Sequence, residues 1–205
     1  MNDFAKFKKI DAHSHIGHFG SPFNVDFNAE MLLGQMTEYN IEKTILCPAA
    51  CTLNEELNDA FTADSPMVDP IMEIAKKYDK PVFIHCGHPP FSLPWQIGLL
   101  AERHPQVQVV MIHMGHGHGV YIDGSITMAK KFDNLMLECS GMPMGCQIKN
   151  AYETVGGERV MFGIDSPFHH PTVEIQRVLS CGLNDSQLED VFYNNAAKFM
   201  GIAKL

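Results

Sequence analysis

The sequence predicts one parallel α/β domain of TIM-barrel type, residues 1–205, incomplete at six recognisable strands. Three observations predict it. Short β-branched apolar runs alternate with amphipathic helical stretches, the pattern of strands joined by helical crossovers. The repeat is regular, with 27 residues from Val82 to Val109, 26 from Val109 to Leu135 and 25 from Leu135 to Val160, the size of a barrel βα unit. No glycine-rich nucleotide fingerprint follows a strand, as a doubly wound dinucleotide-binding sheet requires.

The elements follow in order. A strand is expected over residues 9–16. A helix over 28–39 then opens on an Asn cap and carries Met31, Leu32 and Met36 on one face. After a strand over 41–48, a helix over 66–78 begins at Ser-Pro and carries Met67, Ile71, Ile74 and Ala75. Strands over 81–86, 107–114, 135–139 and 160–164 alternate with helices over 94–104, 121–132, 147–155 and 171–179, and a helix over 186–200 ends the chain. A closed barrel needs eight strands. The 37 residues from Ile45 to Val82 hold one convincing helix, so two βα units are missing and an internal deletion is placed near 60–65. Two sheet edges are thereby left unpaired, which invites association, and a homo-oligomer is expected.

Composition limits the partners. With 15 Lys+Arg against 24 Asp+Glu, the formal net charge is −9, which argues against nucleic acid and anionic membranes. The N-terminus is polar, and no run of roughly 18 apolar residues occurs. Six cysteines, Cys47, Cys51, Cys86, Cys139, Cys146 and Cys181, lack Cys-x-x-Cys spacing and read as reduced, mostly buried thiols of a cytoplasmic protein. The thirteen methionines read as core filler.

The chemistry sits at the strand ends. In Ile10-Asp11-Ala12-His13-Ser14-His15, strand alternation projects His13 and His15 from one face. His85, His113 and Asp165 each close a later apolar strand just before a Gly or Ser-Pro turn. One such residue is ordinarily a hydrogen-bonded histidine or a helix cap. Five at equivalent positions, on the face where barrels place active sites, form the imidazole and carboxylate set of a catalytic divalent metal.

With Phe162-Gly-Ile-Asp165-Ser-Pro167, Pro94-Trp-Gln-Ile-Gly-Leu-Leu-Ala-Glu-Arg-His-Pro105 and Tyr193-Asn-Asn-Ala-Ala-Lys-Phe199, these residues resemble the amidohydrolase superfamily. The nearest branch is its amidohydrolase-related group of metal-dependent hydrolases, which includes aminocarboxymuconate-semialdehyde decarboxylase. The resemblance covers residues 8–60 and 66–202. It implies that His13, His15, His85 and Asp165 hold one divalent ion, zinc first, with manganese or iron as alternatives. It also implies that His113 acts as a catalytic residue beside Asp165. In binuclear members the fourth strand supplies a bridging carboxylate. Because this chain lacks that strand, the expectation is a mononuclear site.

His18, Trp95 and His116 are candidates for substrate contact at the mouth. His118, His169 and His170 share the status of His116, and Glu138 is a candidate support for the site or a core acid. The leading function is metal-dependent hydrolysis of a small amide, ester or lactone. The runner-up is nonoxidative decarboxylation of an aromatic or unsaturated carboxylic acid, disfavoured because no Arg or Lys stands at a strand end. A third reading is a noncatalytic metal-binding remnant.

Overall fold

A computed structural model describes residues 3–47 and 61–202. Its first half runs β1 (Lys9–Ser14), β2 (Gly17–Phe19), β3 (Val25–Phe27), α1 (Ala29–Tyr39), β4 (Ile41–Leu46), α2 (Asp69–Lys77), β5 (Val82–His85) and α3 (Pro94–Arg103). The second half runs β6 (Val109–Ile112), α4 (Gly119–Lys131), β7 (Leu135–Glu138), α5 (Gly145–Val155), β8 (Val160–Met161), α6 (Pro171–Leu179), α7 (Asp185–Glu189) and α8 (Asn195–Phe199). All six expected barrel strands form. The Asn28 side chain caps α1 by accepting from Met31 N, a contact that stabilises a helix by about 1 kcal/mol.

Strands β5 to β8 lie parallel in sequence order, with Val82 opposite Val109 and Val109 opposite Leu135. The first two intervals in the sequence are therefore ladder register, whereas Val160 lies opposite Leu137. On the far side, β1 pairs in parallel with β4. β8 is shorter than expected, and the chain after Met161 runs alongside β1. Ala12 N donates to Phe162 O (3.0 Å), Asp165 N to His13 O (2.6 Å) and His15 N to Ser166 O (2.6 Å). The spatial order is β4-β1-β8-β7-β6-β5, a TIM-barrel-like parallel array open between β4 and β5. Among the described residues no strand bridges that opening.

Side-chain alternation explains how an open array stays packed. Val109, Met111, Leu135, Leu137, Val160 and Phe162 face outward and share one core with the helices, including Met72, Leu100, Ile126 and Ile148. Val110, Met136 and Met161 face inward and form a second core with Ile10, Ala12, Ala196 and Ala197, against which Phe83, Phe199 and Ile202 pack. The C-terminal helix α8 thus covers the inner sheet face. The expected helix over 186–200 is broken by a π-helical turn at Asp190–Asn194. Directly after it, the Asn195 amide donates to Gly157 O and Val160 O at the foot of β8.

The antiparallel hairpin β2–β3 was not expected, because three-residue strands are too short to show a period. No helix of the described residues is long and apolar enough to cross a membrane.

At the base, Lys9 is fully buried. Its ammonium donates to Phe4 O (2.7 Å), Phe7 O (2.6 Å) and Tyr39 O (2.9 Å) and lies 5.3 Å from the centre of the Phe192 ring. Burial lowers its pKa to about 8. One side chain therefore ties the N-terminal turn, the end of α1 and the C-terminal region to β1. Replacing it with Met keeps much of the volume but strands three carbonyls. Lys9→Met should cost about 2–4 kcal/mol in denaturant titration; a midpoint equal to that of the wild type would show that the cation is not structural.

Candidate metal centre

The join between β1 and residues 162–166 brings the first and last motifs together. His13 and His15 both turn Nε2 to Asp165 Oδ1, each at 3.2 Å, and their rings lie 4.7 Å apart. His113 Nε2 is 3.8 Å from Asp165 Oδ2. His13, His113 and Asp165 are buried and offer ligand atoms within 4.8 Å of one another. Asp165 and His113 both adopt φ of 64°, a conformation that costs about 1–3 kcal/mol and clusters at functional sites.

The far side of each ring is held. His15 Nδ1 lies 3.0 Å from Cys47 O, and His113 Nδ1 lies 2.8 Å from Ser140 O. A carbonyl only accepts, so in both rings Nδ1 carries a proton and Nε2 is the atom turned toward Asp165. Cys47 Sγ is 3.3 Å from His13 Nδ1, leaving His13 Nε2 buried with no hydrogen-bond partner. An orphaned buried imidazole nitrogen facing a carboxylate, flanked by two more imidazoles, fits a divalent cation.

Electrostatics agree with that donor set. Burial would raise the Asp165 carboxyl, but its contacts with His13 and His15 and the nearby His113 hold it well below the usual range. Burial lowers His113 to about 3, with His13 and His116 adding repulsion. His85 falls further, again chiefly by burial, with His113 and His88 contributing. His85 and His113 are thus held neutral beside the Asp165 carboxylate.

His85 closes β5 beside His113, ring centres 4.4 Å apart, and its Nδ1 meets His88 Nδ1 at 2.7 Å. His88 stacks on His116 at 5.0 Å. The turns carrying these rings press together at Gly87 and Gly115, both at positive φ. A Cβ on Gly87 would collide with the Gly115 carbonyl. Glu138 is fully buried and accepts from His113 N (3.0 Å) and Ser140 Oγ (2.8 Å). Burial raises it to about 8. A Cβ on Gly163 would strike this carboxylate, which accounts for the glycine two residues before Asp165.

His169 bridges outward, with Nε2 3.7 Å from Asp165 Oδ2 and Nδ1 3.4 Å from Glu174 Oε1. Buried Glu174 also accepts from Gly141 N and pairs with Arg177. Phe168 packs on His15, Phe19 and Phe23, forming an aromatic wall. His18 is exposed on the β2–β3 hairpin, 2.6 Å from Asp26, and half-exposed Trp95 packs against Tyr121. The structure brings His13, His15, His85, His113, His116 and Asp165 together but does not join His18 or Trp95 to them. Exposed His118 instead caps α4 and packs against Tyr121, while exposed His170 caps α6. Sequence reading missed Cys47, Ser140, His88 and Glu174 as supports. Ser140 was within reach, two residues past a strand-end Glu; the others carry no local signal.

The family profile for amidohydrolases matches residues 49–202. No curated protein sequence matches the chain. Among solved structures, amidohydrolase 2 from Bifidobacterium longum subsp. infantis is similar at 16% identity and TM-score 0.72, over 96% of this chain and 100% of that one. A protein assigned as 2-pyrone-4,6-dicarboxylic acid hydrolase from Pseudomonas putida is similar at 14% identity and TM-score 0.75, over 97% and 99%. A dihydroxybenzoic acid decarboxylase from Polaromonas sp. JS666, with bound manganese and the inhibitor 2-nitroresorcinol, is similar at 13% identity and TM-score 0.67, over 97% and 98%. These likenesses share the fold, and the profile match over three quarters of the sequence gives the family: the chain belongs to the amidohydrolases.

Proposed function

We propose that the protein is a cytoplasmic, mononuclear metal-dependent hydrolase of a small amide, ester or lactone. The observation that carries this is one ionised carboxylate, Asp165, faced by the Nε2 atoms of His13, His15 and His113. In this reading His13, His15, His85 and Asp165 hold the ion, zinc first, with manganese or iron as alternatives. A bound divalent ion supplies Lewis acidity and lowers the pKa of water from about 15.7 toward about 7.

The chain's own groups do the rest. Asp165 remains ionised and accepts a proton from the attacking water. His113, its Nδ1–H committed to Ser140 O, presents the Nε2 lone pair to Asp165, takes over the proton that Asp165 received from water and delivers it to the leaving group. Glu138 and Ser140 fix the His113 backbone and ring. His116 lines the mouth beside His88, and in this reading His18 and Trp95 contact only the outer part of a substrate.

The aromatic wall of Phe19, Phe23 and Phe168 beside His15 favours a second reading, decarboxylation of a planar aromatic acid. The intact donor set weighs against a noncatalytic remnant.

Elemental analysis should find one divalent ion per chain, and His13→Ala should lose it. Two ions per chain would overturn the mononuclear site. Chelation should abolish turnover, and zinc or manganese should restore it. His113→Asn should retain the ion while lowering kcat by roughly 10²–10⁴-fold; unchanged kcat would remove His113 from the chemistry. Assays of ester, lactone and amide cleavage against CO2 release from hydroxybenzoates separate the two reactions. A loaded protein inactive on both panels would support the remnant.

A further inference from the structure

His85 is backed differently from the other imidazoles of the site. His15 and His113 back onto carbonyls, which only accept. His85 Nδ1 instead meets a second ring nitrogen, His88 Nδ1, at 2.7 Å. Two N–H groups cannot face each other at that distance, and neither can two lone pairs, so one proton lies between the rings. Burial lowers the pKa of both rings, which leaves each a single proton. Two arrangements follow. Either His85 carries its proton on Nδ1 and donates to His88, or His88 donates and His85 carries its proton on Nε2. Only the first leaves His85 Nε2 free to hold an ion.

The surroundings choose the first. Among the described residues the hydrogen bond to His88 is the one bond the His85 ring makes, so a proton on His85 Nε2 would have no partner there. His88 is exposed, so its own Nε2–H reaches water. The loop is built to hold His88 in place. Phe91 N and Ser92 N both donate to His88 O, each at 3.0 Å, and Gly87 N donates to Ser92 O at 2.8 Å. The His88 ring stacks on His116 with 30° between their planes, and His116 N donates to His113 O. An exposed loop side chain is thereby pinned against the inner ring.

We propose that His88 is a positioning residue of the metal centre: it accepts the Nδ1 proton of His85 and fixes the tautomer whose Nε2 can ligate. The proposal rests on the reading above in which His85 holds the ion. Nitrogen-15 spectra of histidine-labelled, metal-free protein should show His85 protonated on Nδ1; a proton on Nε2 overturns the proposal. Zinc titration of the full chain reads the consequence. His88→Leu, which keeps bulk without an acceptor, should bind zinc roughly 10–100-fold more weakly. His88→Asn places an oxygen where Nδ1 stood but cannot stack on His116, and it should restore binding to near that of the wild type. A leucine variant that binds as tightly as the wild type overturns the proposal. So does an asparagine variant as weak as the leucine one, because the effect would then belong to ring packing. These outcomes leave the metal reading intact, whereas a wild type that binds no zinc overturns both.

Discussion

The backbone seam between β1 and residues 162–166 is the constraint on which the rest depends. Three main-chain hydrogen bonds, with Asp11 accepting from Ile164 N and Ser14 Oγ donating to Asp11, lock the first strand to the last. Without this seam, His13 and His15 would stand on one sheet and Asp165 on another. With it, residues some 150 positions apart share a carboxylate oxygen.

An open array exposes its inner face, which in a closed barrel the missing strands would help enclose. Here α8 occupies that space, held at the foot of β8 by Asn195 and wedged by Phe199 against Phe83. Lys9 secures the same end by satisfying three carbonyls from separate segments. The base of the domain is thus rigid, and the strained turns cluster at the opposite end around Asp165, His113 and His116. That division is the ordinary arrangement of a barrel-type enzyme, with stability at the N-terminal face of the strands and chemistry at the C-terminal face.

Within the site, burial does most of the electrostatic work. It strips proton affinity from His85 and His113, so neutral rings gather where charged ones would repel. Asp165 escapes the same penalty only because imidazole nitrogens surround it. A donor set of neutral nitrogens and one anion is what a divalent cation requires.

Much of this was legible in the sequence, and for a physical reason. Strand alternation places His13 and His15 on one face whatever the tertiary context, and apolar periodicity marks the six barrel strands because each strand must bury two faces. Strand-end polar residues identify His85, His113 and Asp165 because each closes an otherwise apolar run at the end where barrels place their chemistry. What the sequence could not specify depends on contacts between distant segments. Cys47 behind two histidines, Glu174 behind His169, and the Gly87–Gly115 contact that stacks His88 on His116 all arise from loops meeting in space. The covering of the inner face by α8 belongs with them. Local pattern sets which residues can ligate and which strands form; only packing decides which rings face Asp165 and how an open barrel buries its interior.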